Sequence, residues 1–204
     1  KGVLAGAQGW SEGRMRGGES DSANKVAEFL VGVHLVDLYL ALSRDNANDA
    51  LNALSPIITH TPNFLMLPQE AQFYKEAHRQ IASGKNPRTF AIEAAQKEAS
   101  LTKGMAEEGS SYLEFGKWAE AGRLSALARQ STFFQNDETR RFLDWLVRNA
   151  EEQDLPTEIV RDLEKIRDLL SEAEPPQFPY DALARRFTSI LRYYQGESRS
   201  GSSF

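Results

Sequence analysis

The stretch Tyr180-Asp181-Ala182-Leu183-Ala184-Arg185-Arg186-Phe187-Thr188-Ser189-Ile190-Leu191-Arg192-Tyr193-Tyr194 decides the fold class. Tyr180, Leu183, Ala184, Phe187, Ile190, Leu191 and Tyr194 recur at i, i+3, i+4, i+7, the spacing that gathers side chains on one face of a helix. Arg185, Arg186 and Arg192 fall outside that stripe and read as a solvated basic face. The same reading extends towards the N-terminus over about 156–172, 137–152, 106–130, 89–102, a helix opening at Pro68, 46–59 and 23–44. Proline, asparagine and glycine stand between these stretches, as at Pro62-Asn63 and Gly84-Lys85-Asn86-Pro87. β-Branched residues nowhere alternate with polar ones over a useful length. The predicted class is all-α, with about eight helices packed as a bundle.

An internal repeat organises those helices. Sliding 67–90 onto 155–178 pairs Leu67/Leu155, Pro68/Pro156, Glu70/Glu158, Glu76/Glu164, Arg79/Arg167, Ser83/Ser171, Pro87/Pro175 and Phe90/Phe178. The matched prolines sit at helix boundaries, where a fixed φ and a missing N–H are tolerated. Upstream a slightly shorter offset aligns Gly32 with Gly116, and the difference falls around Gln130–Asn136. The predicted organisation is an arm at 1–24, a four-helix unit at 25–104, a second at 105–195 and a loose tail at 196–204. Glycine inside a helix costs about 1 kcal/mol against alanine, so Gly32 and Gly116 point to a close helix crossing. Ala119, Gly122 and Ala126 extend that small-residue stripe. Helices 23–44 and 106–130 are therefore predicted to cross.

Composition bounds the function. The chain has 204 residues, 24 Lys+Arg against 29 Asp+Glu, and no cysteine. Residues 25–104 are balanced in charge, so the net −5 resides in the second half, which argues against a nucleic-acid partner. Without cysteine there is no thiolate zinc site, disulfide or thiol nucleophile. No run of about 18 consecutive apolar residues exists, so no integral membrane segment is expected. Val3-Leu4-Ala5-Gly6-Ala7-Gln8 resembles the end of an export signal, with Ala5-Gly6-Ala7 in the small-x-small pattern of a cleavage site. Leu4-Ala5-Gly6 also resembles a lipobox in which Ala7 replaces the lipidated cysteine. The expected location is extracytoplasmic, periplasmic or as a membrane-attached lipoprotein; an ordinary lead on a cytoplasmic protein is the alternative.

The apparent catalytic motifs lack the context that their chemistry needs. Gly9-Trp10-Ser11-Glu12-Gly13 fits the G-x-S-x-G nucleophile elbow, but that turn needs a strand before it. Gly109 to Lys117 has the wrong glycine spacing for a phosphate loop, and Trp118 replaces the magnesium-binding hydroxyl. Val31, Ile57 and Lys75 stand three residues before His34, His60 and His78, so the Glu-x-x-His pattern of carboxylate-bridged metal sites is absent. No catalytic residue, metal site or cofactor is assigned.

Two candidate sites remain. Phe133 and Phe134 lie between polar residues in the inserted loop, where an exposed aromatic pair would suit a protein partner. His34 stands three residues before Asp37 on the apolar first helix, so both point to one side. If the central helices cross, Trp118 and Glu120 would join them in a pocket for a small molecule or a haem iron. The competing reading is a core histidine satisfied by its own aspartate. The expected function is a non-enzymatic helical-repeat scaffold that binds a protein partner, with homo-oligomerisation possible. The alternative is a small-molecule or haem carrier or sensor.

Overall fold

The computed structural model describes residues 22–61, 68–108, 111–173 and 177–196, and among them the chain is helical with no strand. The elements are α1 (Ser22–Ser43), α2 (Ala47–His60), α3 (Pro68–Ala82), a 3₁₀ turn (Pro87–Phe90), α4 (Ala91–Glu108), α5 (Tyr112–Leu127), α6 (Thr132–Gln135), α7 (Asp137–Arg148), α8 (Thr157–Glu172) and α9 (Tyr180–Tyr194). The all-α fold read from the periodicity is therefore the fold observed. The export-like segment, the G-x-S-x-G match, the Pro62-Asn63 break, the end of the tail and Pro175 of the repeat lie outside the described residues.

Helix starts follow side-chain caps. The Asn46 side chain accepts from the Asp49 N–H at 3.2 Å, Asn86 from Arg88 at 2.8 Å and Asn136 from Glu138 at 2.8 Å. Three helix stops, and the turn that follows α7, share one geometry, in which one residue turns left-handed and the next N–H reaches back across the preceding turn. Asn46 N–H donates to the Ala41 carbonyl, Lys85 to Gln80, Gln130 to Ser125 and Leu155 to Ala150, at 2.9–3.0 Å. Only one of these four uses glycine, Gly84 at φ +95; Asp45, Arg129 and Asp154 hold φ 52–56 in the other three. Several helix ends differ from expectation: α4 runs on to Glu108, α5 spans Tyr112–Leu127 rather than 106–130, and α7 ends at Arg148 rather than 152. The inserted loop contains the short α6.

The described residues up to Lys117 form one compact unit, and those from Trp118 onward form another, so the division falls inside α5. The first unit's core joins Leu35, Leu38 and Leu42 of α1 to Leu54 and Ile57 of α2, Tyr74 and Ile81 of α3, Leu101 of α4 and Leu113 of α5. Within it α1 and α5 meet backbone to backbone. A Cβ on Gly32 would collide with the Leu113 carbonyl, and one on Gly116 with the Phe29 carbonyl. The two glycines thus stand at the approach of α1 to α5, and Phe29 and Phe115 meet edge to face beside them at 5.1 Å.

The second unit is packed around rings. The Trp118 ring is fully buried, with centroids 5.0 Å from Phe187, 6.1 Å from Phe142 and 6.4 Å from Phe133. Gly122 makes room for the Phe187 ring. Leu143 and Leu146 of α7, Ile159, Leu163 and Ile166 of α8, and Leu183 and Ile190 of α9 complete this core.

Asn24–Ser43 is long and apolar enough by length and composition to cross a membrane, with mean hydropathy 1.6. Gly32, His34 and Asp37 interrupt it, which is why the criterion of consecutive apolar residues missed it. However, 56% of that window is buried in the fold, as in a core helix, so the described residues offer no clear integral membrane segment.

Candidate functional site

A buried ionic cluster fills the first unit where α4 faces α5. The Lys117 ammonium lies 2.6 Å from a Glu98 carboxylate oxygen and 3.0 Å from one of Glu114. The Thr102 hydroxyl donates to the same Glu114 oxygen at 3.1 Å. The Lys117 side chain is only 13% exposed. Burial alone would lower its pKa, but the charges of Glu114 and Glu98 outweigh that and hold it above the usual ammonium range. Such a cluster is costly to break, because a lone survivor would be a buried, unpaired charge.

Two tyrosines border this cluster. Tyr39 of α1 has its pKa raised, first by burial and then by Glu98, with Lys117 opposing. Tyr74 of α3 is raised much further, by burial and then by Glu98 and Glu70. Its ring is fully buried and its hydroxyl has no hydrogen-bond partner.

Tyr39 also forms one wall of an open groove. Ala91, Ile92, Ala95, Gln96 and Ala99 of α4 form the other, and together they enclose about 540 Å³. The lining is almost wholly apolar. Ala91, Ala95 and Ala99 recur every four residues, so they form a low ridge, and Ile92 rises beside them 78% exposed. A large apolar side chain left this far in water is one of only two among the described residues, the other being Leu127.

The chain matches no family model, no curated protein and no solved structure.

The residues singled out from the sequence fall elsewhere. His34 Nδ1 faces the Asp37 carboxylate at 3.5 Å, as their spacing requires, but the two side chains are 22% and 38% exposed rather than enclosed. His60 at the end of α2 has its pKa lowered, by burial first and by His34 second. His34 and Asp37 belong to the first unit, whereas Trp118 and Glu120 belong to the second. Trp118 donates its ring N–H to the Thr139 carbonyl at 3.3 Å, and Glu120 is paired with Arg123 three residues on. Among the described residues no group of three or more His, Asp or Glu side chains is placed to hold a metal ion.

Phe133 and Phe134 require a correction. They were expected as an exposed pair in a loop, yet they are 9% and 0% exposed. The short α6 turns both rings inward, Phe133 towards Trp118 and Phe134 towards Phe178 at 5.7 Å and Tyr180 at 6.1 Å. Burying two such rings outweighs the polar character of their neighbours in sequence. The basic face of α9 is also less free than its spacing suggested, since Arg186 pairs with the largely buried Asp162 at 3.0 Å.

Sequence reading missed both the groove and the ionic cluster. An alanine at every fourth position was visible, but alanine is ordinary in helices. Lys117 entered only as the end of a discarded phosphate-loop match, and no spacing along the chain shows that Glu98 of α4 meets it.

Proposed function

We propose that this chain is a non-enzymatic, helical protein-interaction domain whose docking surface is the groove between α1 and α4. The single observation carrying this reading is Ile92, 78% exposed beside an open apolar groove. A partner that covered Ile92 and the alanine ridge would remove this apolar surface from water. The shallow, open form of the groove suits a protein segment better than a small molecule, which is usually enclosed on most sides. The two-copy organisation remains part of the proposal. It is supported by the prolines opening α3 and preceding α8, and by the reciprocal placement of Gly32 and Gly116.

A photoreactive side chain placed at position 92 tests the reading in the cell of origin. One adduct of defined mass is expected there, with none from the same group at the exposed Arg161 of α8. Equal labelling at both positions, or none at either, overturns it.

A further inference from the structure

We infer that Glu98, Lys117 and Glu114 form an ionic latch, and that α4 is a movable wall of the groove which this latch holds in place. The latch stands on how α4 is anchored; its control of the groove rests on the interaction reading above.

Apolar burial gives α4 a weak hold. Among its described side chains, 91–103, Ala94 and Leu101 alone are buried, and only Leu101 is large. By contrast α2, fourteen residues long, buries Ala50, Ala53, Leu54 and Ile57. Phe73, Tyr74, Ala77 and Ile81 are buried on α3. The force that holds a helix to a core grows with the apolar area it removes from water. An element with few buried apolar contacts opens at a lower free energy than the rest of its unit.

The turn before α4 is anchored more firmly. Phe90 is buried, the Lys85 ammonium lies 4.9 Å from the centre of its ring, and Asn86 donates to the Asp45 carboxylate at 2.9 Å. α4 thus has a fixed start, and any opening pivots there.

Farther along, charge takes over. Glu98 accepts from Lys117 at 2.6 Å, and one turn on Thr102 donates to Glu114 at 3.1 Å, so both links run from α4 to α5. The arrangement is releasable because Lys117 has a second carboxylate on its own helix, Glu114, at 3.0 Å. When α4 departs, Glu98 enters water and Lys117 stays paired with Glu114. No buried charge is left alone. The attraction between Glu98 and Lys117 is largely offset by the water both give up on closing, so the link fixes the position of α4 while adding little to the free energy of opening. The groove follows the latch, since Tyr39 of α1 forms one wall and α4 the other.

Native-state hydrogen exchange on the full chain reads the latch without any partner. In the wild type, amides 95–103 of α4 are expected to be at least about tenfold less protected than amides 53–58 of α2. Lys117→Met leaves two carboxylates without their cation in the closed form. It is expected to lower α4 protection about tenfold or more further, with α2 unchanged. Replacing the whole cluster, by Glu98→Leu with Lys117→Met and Glu114→Gln, is expected to raise α4 protection towards that of α2, because apolar contact holds without a desolvation cost. The chain has no cysteine, so Ala94→Cys adds a single thiol whose labelling rate is expected to rise with Lys117→Met.

Equal protection of α4 and α2 in the wild type overturns the inference. So does loss of protection by both helices together in Lys117→Met, which would make the cluster part of the core. An apolar replacement that leaves α4 as loose as before, or a thiol whose labelling ignores Lys117→Met, overturns it as well. A loosely held α4 with no adduct at position 92 would remove the interaction reading and keep the latch. An adduct at 92 on an α4 as protected as α2 would do the reverse.

Discussion

Up to Lys117, α5 meets its neighbours through backbone and charge beside the Phe29–Phe115 ring pair: Gly116 lies against the Phe29 carbonyl, and Lys117 sits between Glu98 and Glu114. From Trp118 onward the same helix is held by rings, with Trp118 among Phe133, Phe142 and Phe187 and Gly122 under the Phe187 ring. One continuous helix therefore serves two kinds of core. A backbone carbonyl is fixed by its own helix and cannot yield, whereas a ring can move by repacking against its neighbours. Tolerance to substitution should change sharply between adjacent turns of α5.

The largest effect is expected from Trp118→Ala. It removes the most deeply buried large side chain of the second unit and leaves a cavity among three rings, at a cost of about 3–5 kcal/mol. Chemical denaturation followed by circular dichroism measures it, and a loss under about 1 kcal/mol would mean that the rings do not form one packed core.

Next come the glycines, which sharpen the contrast directly. Gly116→Ala is expected to cost about 3 kcal/mol, the upper end for overpacking, because its Cβ meets the Phe29 carbonyl. Gly122→Ala brings a Cβ against the fully buried Phe187 ring, which must move aside by about an ångström, and is expected to cost about 2 kcal/mol. Equal losses in the two variants would erase the distinction between backbone and ring contacts.

The smallest effect is a dependence on alkaline pH, belonging to the first unit. Tyr74, Tyr39 and Lys117 all have raised pKa values in the fold. The folded state then holds more protons than the unfolded one, so stability is complete below about pH 10 and falls as pH rises above it. Ultraviolet titration of the six tyrosines is expected to show a late-ionising component that Tyr74→Phe removes. Because the Tyr74 hydroxyl lacks a hydrogen-bond partner, the same substitution should leave stability at neutral pH almost unchanged. A single early transition in the wild-type chain would show that Tyr74 is reached by solvent.

Much of the architecture was legible beforehand, and the reasons are local. α9 carries its apolar side chains at helical spacing, α3 opens at Pro68 and stops at Gly84, and Gly32 and Gly116 marked the approach of α1 to α5. What escaped was also local but atypical. The left-handed stop at Arg129 occurs on a residue that does not advertise it, so the sequence reading places the end of α5 too late. Phe133 and Phe134 stand between polar neighbours in sequence, yet α6 directs both rings into the core.

By itself, the sequence determined the helical class, the order of the main helices and the need for two backbones to meet at glycine. Periodicity, caps and missing side chains are properties of neighbouring residues, and they survive without tertiary context. Only the tertiary structure decided that Lys117 is buried between two glutamates, that the aromatic pair is core, and that Ile92 stands in water beside an alanine ridge. Burial and charge pairing depend on which distant segments are brought together, and no spacing along the chain contains that information.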